Sequence, residues 1–123
     1  MSSGTRIEPR FEPREILLAE VKFYNQEKLE IRPVLVLSKF SMTPANEIFI
    51  CLAISSSLEK NNPFRIDIIG KDTESGFFPK PSQVVCDNFF TIPKADVTKL
   101  IGKATIMFYS KITKILKDKI LQI

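Results

Sequence analysis

The chain contains no histidine at all. That absence removes histidine-based nucleophilic triads, the usual zinc sites and the commonest general base. Glycine-rich chemistry is missing too: there is no G-x-S-x-G elbow, and Gly70-Lys71 lacks the upstream glycine of a phosphate-binding loop. The acidic residues form no cluster with metal-ligand spacing, so neither a metal nor a cofactor is expected. No apolar run approaches the length of a membrane span, and Met1 to Arg14 is polar and proline-containing, unlike a secretory leader. The two cysteines, Cys51 and Cys86, lie inside apolar β-prone runs and read as buried free thiols rather than a disulfide. The expectation is a soluble cytoplasmic protein. Any catalysis must run on Arg, Lys, Asp, Glu, Ser and Tyr. Transfer within a phosphodiester suits that set, because a neighbouring ribose hydroxyl supplies the nucleophile. The protein then adds only proton transfer and cationic stabilisation.

What is present describes one ordinary domain. The 123 residues are 44% hydrophobic and 26% charged, enough to bury a core without staples. The net charge of +4 is unevenly spread: from Lys94 onward seven lysines face two aspartates, a local +5 that leaves −1 for the rest. A basic C-terminal third attracts phosphates or acidic partners, although a solvated lysine face on a terminal helix accounts for the same charge.

Residues 1–14 read as a flexible tail, in which Glu8-Pro9-Arg10 is echoed by Glu12-Pro13-Arg14 and favours extended chain. The folded domain is expected over 15–123. Within it, Ile16 to Phe23 alternates as a strand, and Pro33 to Leu37 is a continuous apolar run typical of a buried one. Ile48–Ile54, Phe64–Ile69, Gln83–Cys86 and Phe89–Ile92 add short strands separated by polar turns. The period then changes. Thr105 can cap a helix to about Ile120, with Phe108, Tyr109, Ile112, Ile115 and Leu116 on one stripe. The pattern predicts a mainly β fold, a compact barrel or sandwich, with a C-terminal helix packed on it.

Several motifs now fall into an order. Ile31 to Ser38 reads I-R-P-V-L-V-L-S, and Ala53-Ile54-Ser55-Ser56 ends a later strand. Gly76-Phe77, Lys80 to Asp87, Phe90-Thr91-Ile92 and Ile101-Gly102-Lys103 follow. In this order and at these separations, residues 15–120 resemble the PemK/MazF family of toxins. The resemblance implies an SH3-like, PemK/CcdB-type β-barrel and a toxin of a type II toxin–antitoxin system. Its implied activity is metal-independent endoribonuclease cleavage of single-stranded RNA, by attack of the ribose 2′-hydroxyl on the adjacent phosphate. It implies a homodimer, a cognate antitoxin and an RNA groove to which loops 24–31 and 56–63 contribute.

Site residues follow from the same resemblance. Arg32 matches the family's essential arginine and would neutralise the scissile phosphate. Ser55 stands at the family's threonine position, keeping the hydroxyl while losing the stiff β-branched rotamer. Asp87 matches an acid–base position and Glu27 a loop acid; a turn aspartate and a solvated loop glutamate are the plainer readings of these two. Two departures stand out. Val85 occupies the place of an arginine that some relatives pair with the acid, leaving the proton donor unassigned. Arg14-Glu15-Ile16 replaces the family's Gly-Asp-Ile, losing the glycine. An inactive member, or a gyrase-poisoning binder on the same fold, is the alternative.

Overall fold

The structure is a computed structural model that describes residues 11–22, 27–41, 47–76 and 80–123. Most of the expected tail, the loop at 24–26 and the Phe77 motif position lie outside the described residues. Among the described residues, seven strands, β1 (Glu15–Val21), β2 (Glu30–Ser41), β3 (Glu47–Ser55), β4 (Arg65–Ile68), β5 (Thr73–Gly76), β6 (Ser82–Pro93) and β7 (Val97–Ala104), precede α1 (Ile106–Ile115). They form one antiparallel sheet in the order β4-β6-β3-β2-β1-β7-β5.

Alternation explains how this sheet buries both faces. Ile16 pairs with Leu35 and Leu35 with Leu52, and all three enter one core cluster with Val84, Phe108 and Ile112. Their strand neighbours Leu17, Val34, Val36 and Cys51 enter a second cluster with Phe49 and Phe11. The continuous apolar runs are thus strands covered on both sides. Helix α1 covers the first face, and its capping works as the sequence implies. The Thr105 hydroxyl accepts from the Phe108 amide at 3.1 Å, and Phe108 and Ile112 are buried. Tyr109 donates its hydroxyl to the Leu37 carbonyl at 3.0 Å, tying the helix to β2. Helical structure reaches the expected Ile120, continuing beyond α1 as π-helical turns over Leu116–Leu121.

The sheet is a curled barrel-like sheet without hydrogen-bonded closure, because β4 and β5 sit at opposite ends of the strand order. The chain still draws those ends together. Only Ile69 and the short 3-10 turn Gly70–Asp72 separate β4 from β5, so the two edges lie within about 18 Å, the reach of five extended residues. Two strands expected as separate, 83–86 and 89–92, are one strand carrying a bulge: Leu52 pairs with Phe89 while Ala53 pairs with Val85.

The packed chain begins before Glu15. Phe11 is 5% exposed and meets Phe49 edge to face, with ring centroids 5.4 Å apart. Arg14 explains the missing glycine: it adopts φ 79°, the left-handed region that glycine enters without steric cost. Its side chain offsets the strain by donating to the Ala104 carbonyl at 2.9 Å and pairing with Glu74 at 2.8 Å. Its backbone also bridges β2 and β7, donating to the Val36 carbonyl and accepting from the Ala104 amide. The bond from Arg14 holds the Glu74 carboxyl below the usual carboxylate range.

Two measurements check this packing. Ile112→Ala should destabilise the fold by about 2–5 kcal/mol in denaturant titration, the usual range for emptying a fully buried aliphatic site; a cost below about 0.5 kcal/mol would place the helix elsewhere. Burial pushes the Cys51 thiol up to about 12 and, with the Asp87 charge beside it, the Cys86 thiol up to about 11. Neither thiol should react with Ellman's reagent at pH 8 in the native protein, and both should react on unfolding.

Candidate functional site

Where β1, β2 and β7 run side by side, Leu18 of β1 lies opposite Pro33 on one flank and Lys99 on the other. This row forms part of an open cleft of about 420 Å³. Its apolar lining is Leu18, Ile31, Pro33, Ile54 and Ile101. Its polar lining is three cations, Arg32, Lys80 and Lys99, with the hydroxyls of Ser56 and Ser82. A lining that combines apolar side chains with cations suits a ligand that joins flat apolar groups to phosphates.

Arg32 sits in the middle of the pairing with β1, opposite Ala19, which fixes its backbone. Its guanidinium is about one-third exposed and forms an ion pair with Glu30, two residues earlier on the same face of β2. Glu30 was not singled out from the sequence, although the period-two spacing from Arg32 was a signal available there. Lys80, Ser82, Ser56 and Lys99 were likewise missed, because only the fold brings three distant segments to one cleft.

The four residues expected from the sequence are placed unequally. The β2–β3 register ends at Val34 opposite Ala53, and two further residues on each strand lead to Arg32 and Ser55. Continued past its last pair, that register brings Arg32 and Ser55 level on neighbouring strands. The Ser55 hydroxyl is held in a local turn, accepting from the Ser57 amide at 3.0 Å, and it is Ser56 that lines the cleft. Asp87 is exposed in the β6 bulge, two strands from β2 and so roughly 10 Å away, outside the cleft lining. Glu27 is exposed before β2 and does not line the cleft either. Raised thiol pKa values keep both cysteines protonated near neutrality, so neither serves as a nucleophile.

A second, wider cleft of about 790 Å³ is lined by residues 58–63 and β4. It is internally bonded: Arg65 pairs with Glu59 at 2.7 Å, and Gln83 donates to Asp67 and accepts from the Glu59 amide, both at 2.9 Å. This network makes 58–63 a preorganised loop rather than an open chain. Among the described residues no group of three His, Cys, Asp or Glu side chains converges to hold a metal ion, and no helix is long and apolar enough to cross a membrane.

Comparison with known proteins bears on the family and the fold. The family described as the PemK-like, MazF-like toxin of type II toxin–antitoxin systems matches residues 12–120. Sequence comparison with curated proteins finds no match. Among solved structures, the Mycobacterium tuberculosis toxin MazF-mt6 is similar at TM-score 0.64 and 24% identity, over 85% of this chain and 94% of that one. A mycobacterial endoribonuclease in complex with its cognate antitoxin is similar at TM-score 0.67 and 15% identity, over 90% of this chain and 95% of that one. A further mycobacterial endoribonuclease is similar at TM-score 0.63 and 16% identity, over 91% and 92% of the two chains. At these identities the likeness establishes the shared fold.

Proposed function

This chain belongs to the PemK-like, MazF-like toxin family of type II toxin–antitoxin systems, and we propose that it is an endoribonuclease acting on single-stranded RNA in the cleft beside Arg32. The observation that carries the reading is that Arg32, Lys80 and Lys99 line one cleft together with Leu18, Pro33 and Ile54. Phosphates of an unpaired strand meet the three cations while an unstacked base lies against Pro33 and Ile54.

In the proposed reaction the 2′-oxygen forms a bond to phosphorus as the bond to the 5′-oxygen breaks. The products are a 2′,3′-cyclic phosphate and a 5′-hydroxyl. Arg32 stabilises the charge gathering on the non-bridging oxygens. Ser55, level with Arg32 on the neighbouring strand, supplies a hydroxyl once its turn bond to Ser57 is exchanged for one to substrate. Asp87 and Glu27 are the acids proposed from the family pattern. Both lie outside the lining of the free cleft, so they reach a substrate only where the strand extends past it. No metal takes part in this scheme.

The fold family also supports a partner. One similar structure is an endoribonuclease bound to its cognate antitoxin, and we assign an antitoxin to this chain as well. A homodimer extends the reading, with exposed Leu100, Ile106 and Met107 supplying apolar surface for a second chain. A cytoplasmic location follows from an RNA target.

The test is cleavage of a single-stranded RNA in excess EDTA. Wild type should cleave, and folded Arg32→Ala should lose about 10²–10³ in rate, the usual effect of removing one preorganised donor. Arg32→Lys should recover little, since charge without the planar fork is insufficient. A folded Arg32→Ala protein at wild-type rate would overturn the assignment, and RNA bound but left intact by wild type would favour the binding-module alternative. Lys80→Gln and Lys99→Gln should each weaken oligonucleotide binding and flatten the slope of log K against log salt by about 0.7. Unchanged slopes would remove these lysines from the RNA path.

A further inference from the structure

We propose that Glu30 is a built-in competitor for the phosphate seat, occupying the Arg32 guanidinium until a substrate phosphate displaces it. The inference rests on the nuclease reading of the cleft and adds to it a residue that restrains binding.

The geometry is local and rigid. Glu30 and Arg32 are alternate residues of β2, held opposite Val21 and Ala19 of β1, so their side chains emerge from the same face of a fixed strand. Glu30 Oε2 meets Arg32 Nη2 directly. Both side chains are partly open to water, at 40% and 34% exposure, so an incoming anion can reach the pair without unfolding anything. Both side chains leave β2 on the side of Ala19 and Val21, the face opposite Pro33 and Leu18; Arg32 borders the cleft, whereas Glu30 is not among its lining residues.

A carboxylate and a phosphate ask for the same donors. The guanidinium offers planar paired N–H groups to either, and the two anions repel each other if both remain. A half-exposed ion pair is weak, so a phosphodiester that also meets Lys80 and Lys99 outcompetes it. Isolated anions lacking the lysine contacts compete less well. Glu30 thereby raises the threshold for occupancy and favours a polyanionic strand over single phosphates. Glu30 acts through Arg32 and is a positioning residue in this scheme.

The experiment compares wild type, Glu30→Gln and Glu30→Ala, each also in an Arg32→Ala background. Two probes are titrated calorimetrically: inorganic tripolyphosphate and a single-stranded oligonucleotide with 2′-O-methyl groups that block cleavage. Glu30→Gln and Glu30→Ala should bind both probes on the order of tenfold more tightly, from loss of the competing pair and of like-charge repulsion. The gain should vanish when Arg32 is also replaced, which a purely structural effect of Glu30 would not produce. Kinetically, Glu30→Gln should lower KM; a lowered kcat at unchanged KM would instead make Glu30 a proton acceptor and overturn the proposal. Equal or weaker tripolyphosphate binding in Glu30→Gln, or no binding by any variant, would also overturn it. Failure of the nuclease reading has a separate signature, tripolyphosphate bound as described but the oligonucleotide bound by no variant.

Discussion

The register of β1 against its two neighbours is the constraint from which the site follows. Leu18 faces Pro33 on β2 and Lys99 on β7, and Ala19 faces Arg32. Side chains alternate with a period of two, so a one-residue slip would carry Leu17 and Val34 off their buried face and turn Arg32 away with them. Burial on both faces forbids that slip. Ile16, Leu17, Leu35 and Val36 are all fully buried, yet they divide between two separate clusters. The apolar packing that stabilises the sheet is therefore also what holds Arg32 on the Ala19 side of β2.

Arg14 shows how the same frame tolerates a costly residue. A left-handed arginine at the head of β1 loses the freedom that glycine would have there. Its contacts to Val36, Ala104 and Glu74 join β2, β7 and β5 at one point. The ion pair itself is partly exposed and contributes little by itself; the two backbone bonds and the bond to the Ala104 carbonyl fix the corner. With Phe11 packed on Phe49, this makes residues 11–14 part of the packed structure.

Much of the fold was legible in the chain. The runs Pro33–Leu37 and Ile48–Ile54 read as buried strands and are so, and the Thr105 cap and the Phe108–Ile112 stripe placed the helix. Strands β5 and β7 were not individually read: Thr73–Gly76 is short and polar, and Val97–Ala104 carries only two buried residues, Gly102 and Ala104. The bulge in β6 hid the continuity of 82–93, because a register shift interrupts simple alternation. For the site, Arg32 stood out by its motif, whereas Lys80 and Lys99 could be joined to it only through the sheet order. Ser55 and Asp87 carry the family pattern, yet in the free protein one is engaged in a turn and the other lies beyond the cleft.

We propose that the nucleic acid is held in the cleft lined by Arg32, Lys80 and Lys99. The most direct measurement is a crystal structure of the protein with a cleavage-resistant single-stranded oligonucleotide. A phosphate should lie within hydrogen-bonding distance of the Arg32 guanidinium, with a base against Pro33 and Ile54. An oligonucleotide seated only on the polar cleft of residues 58–67, with the Arg32 cleft filled by solvent, would contradict it.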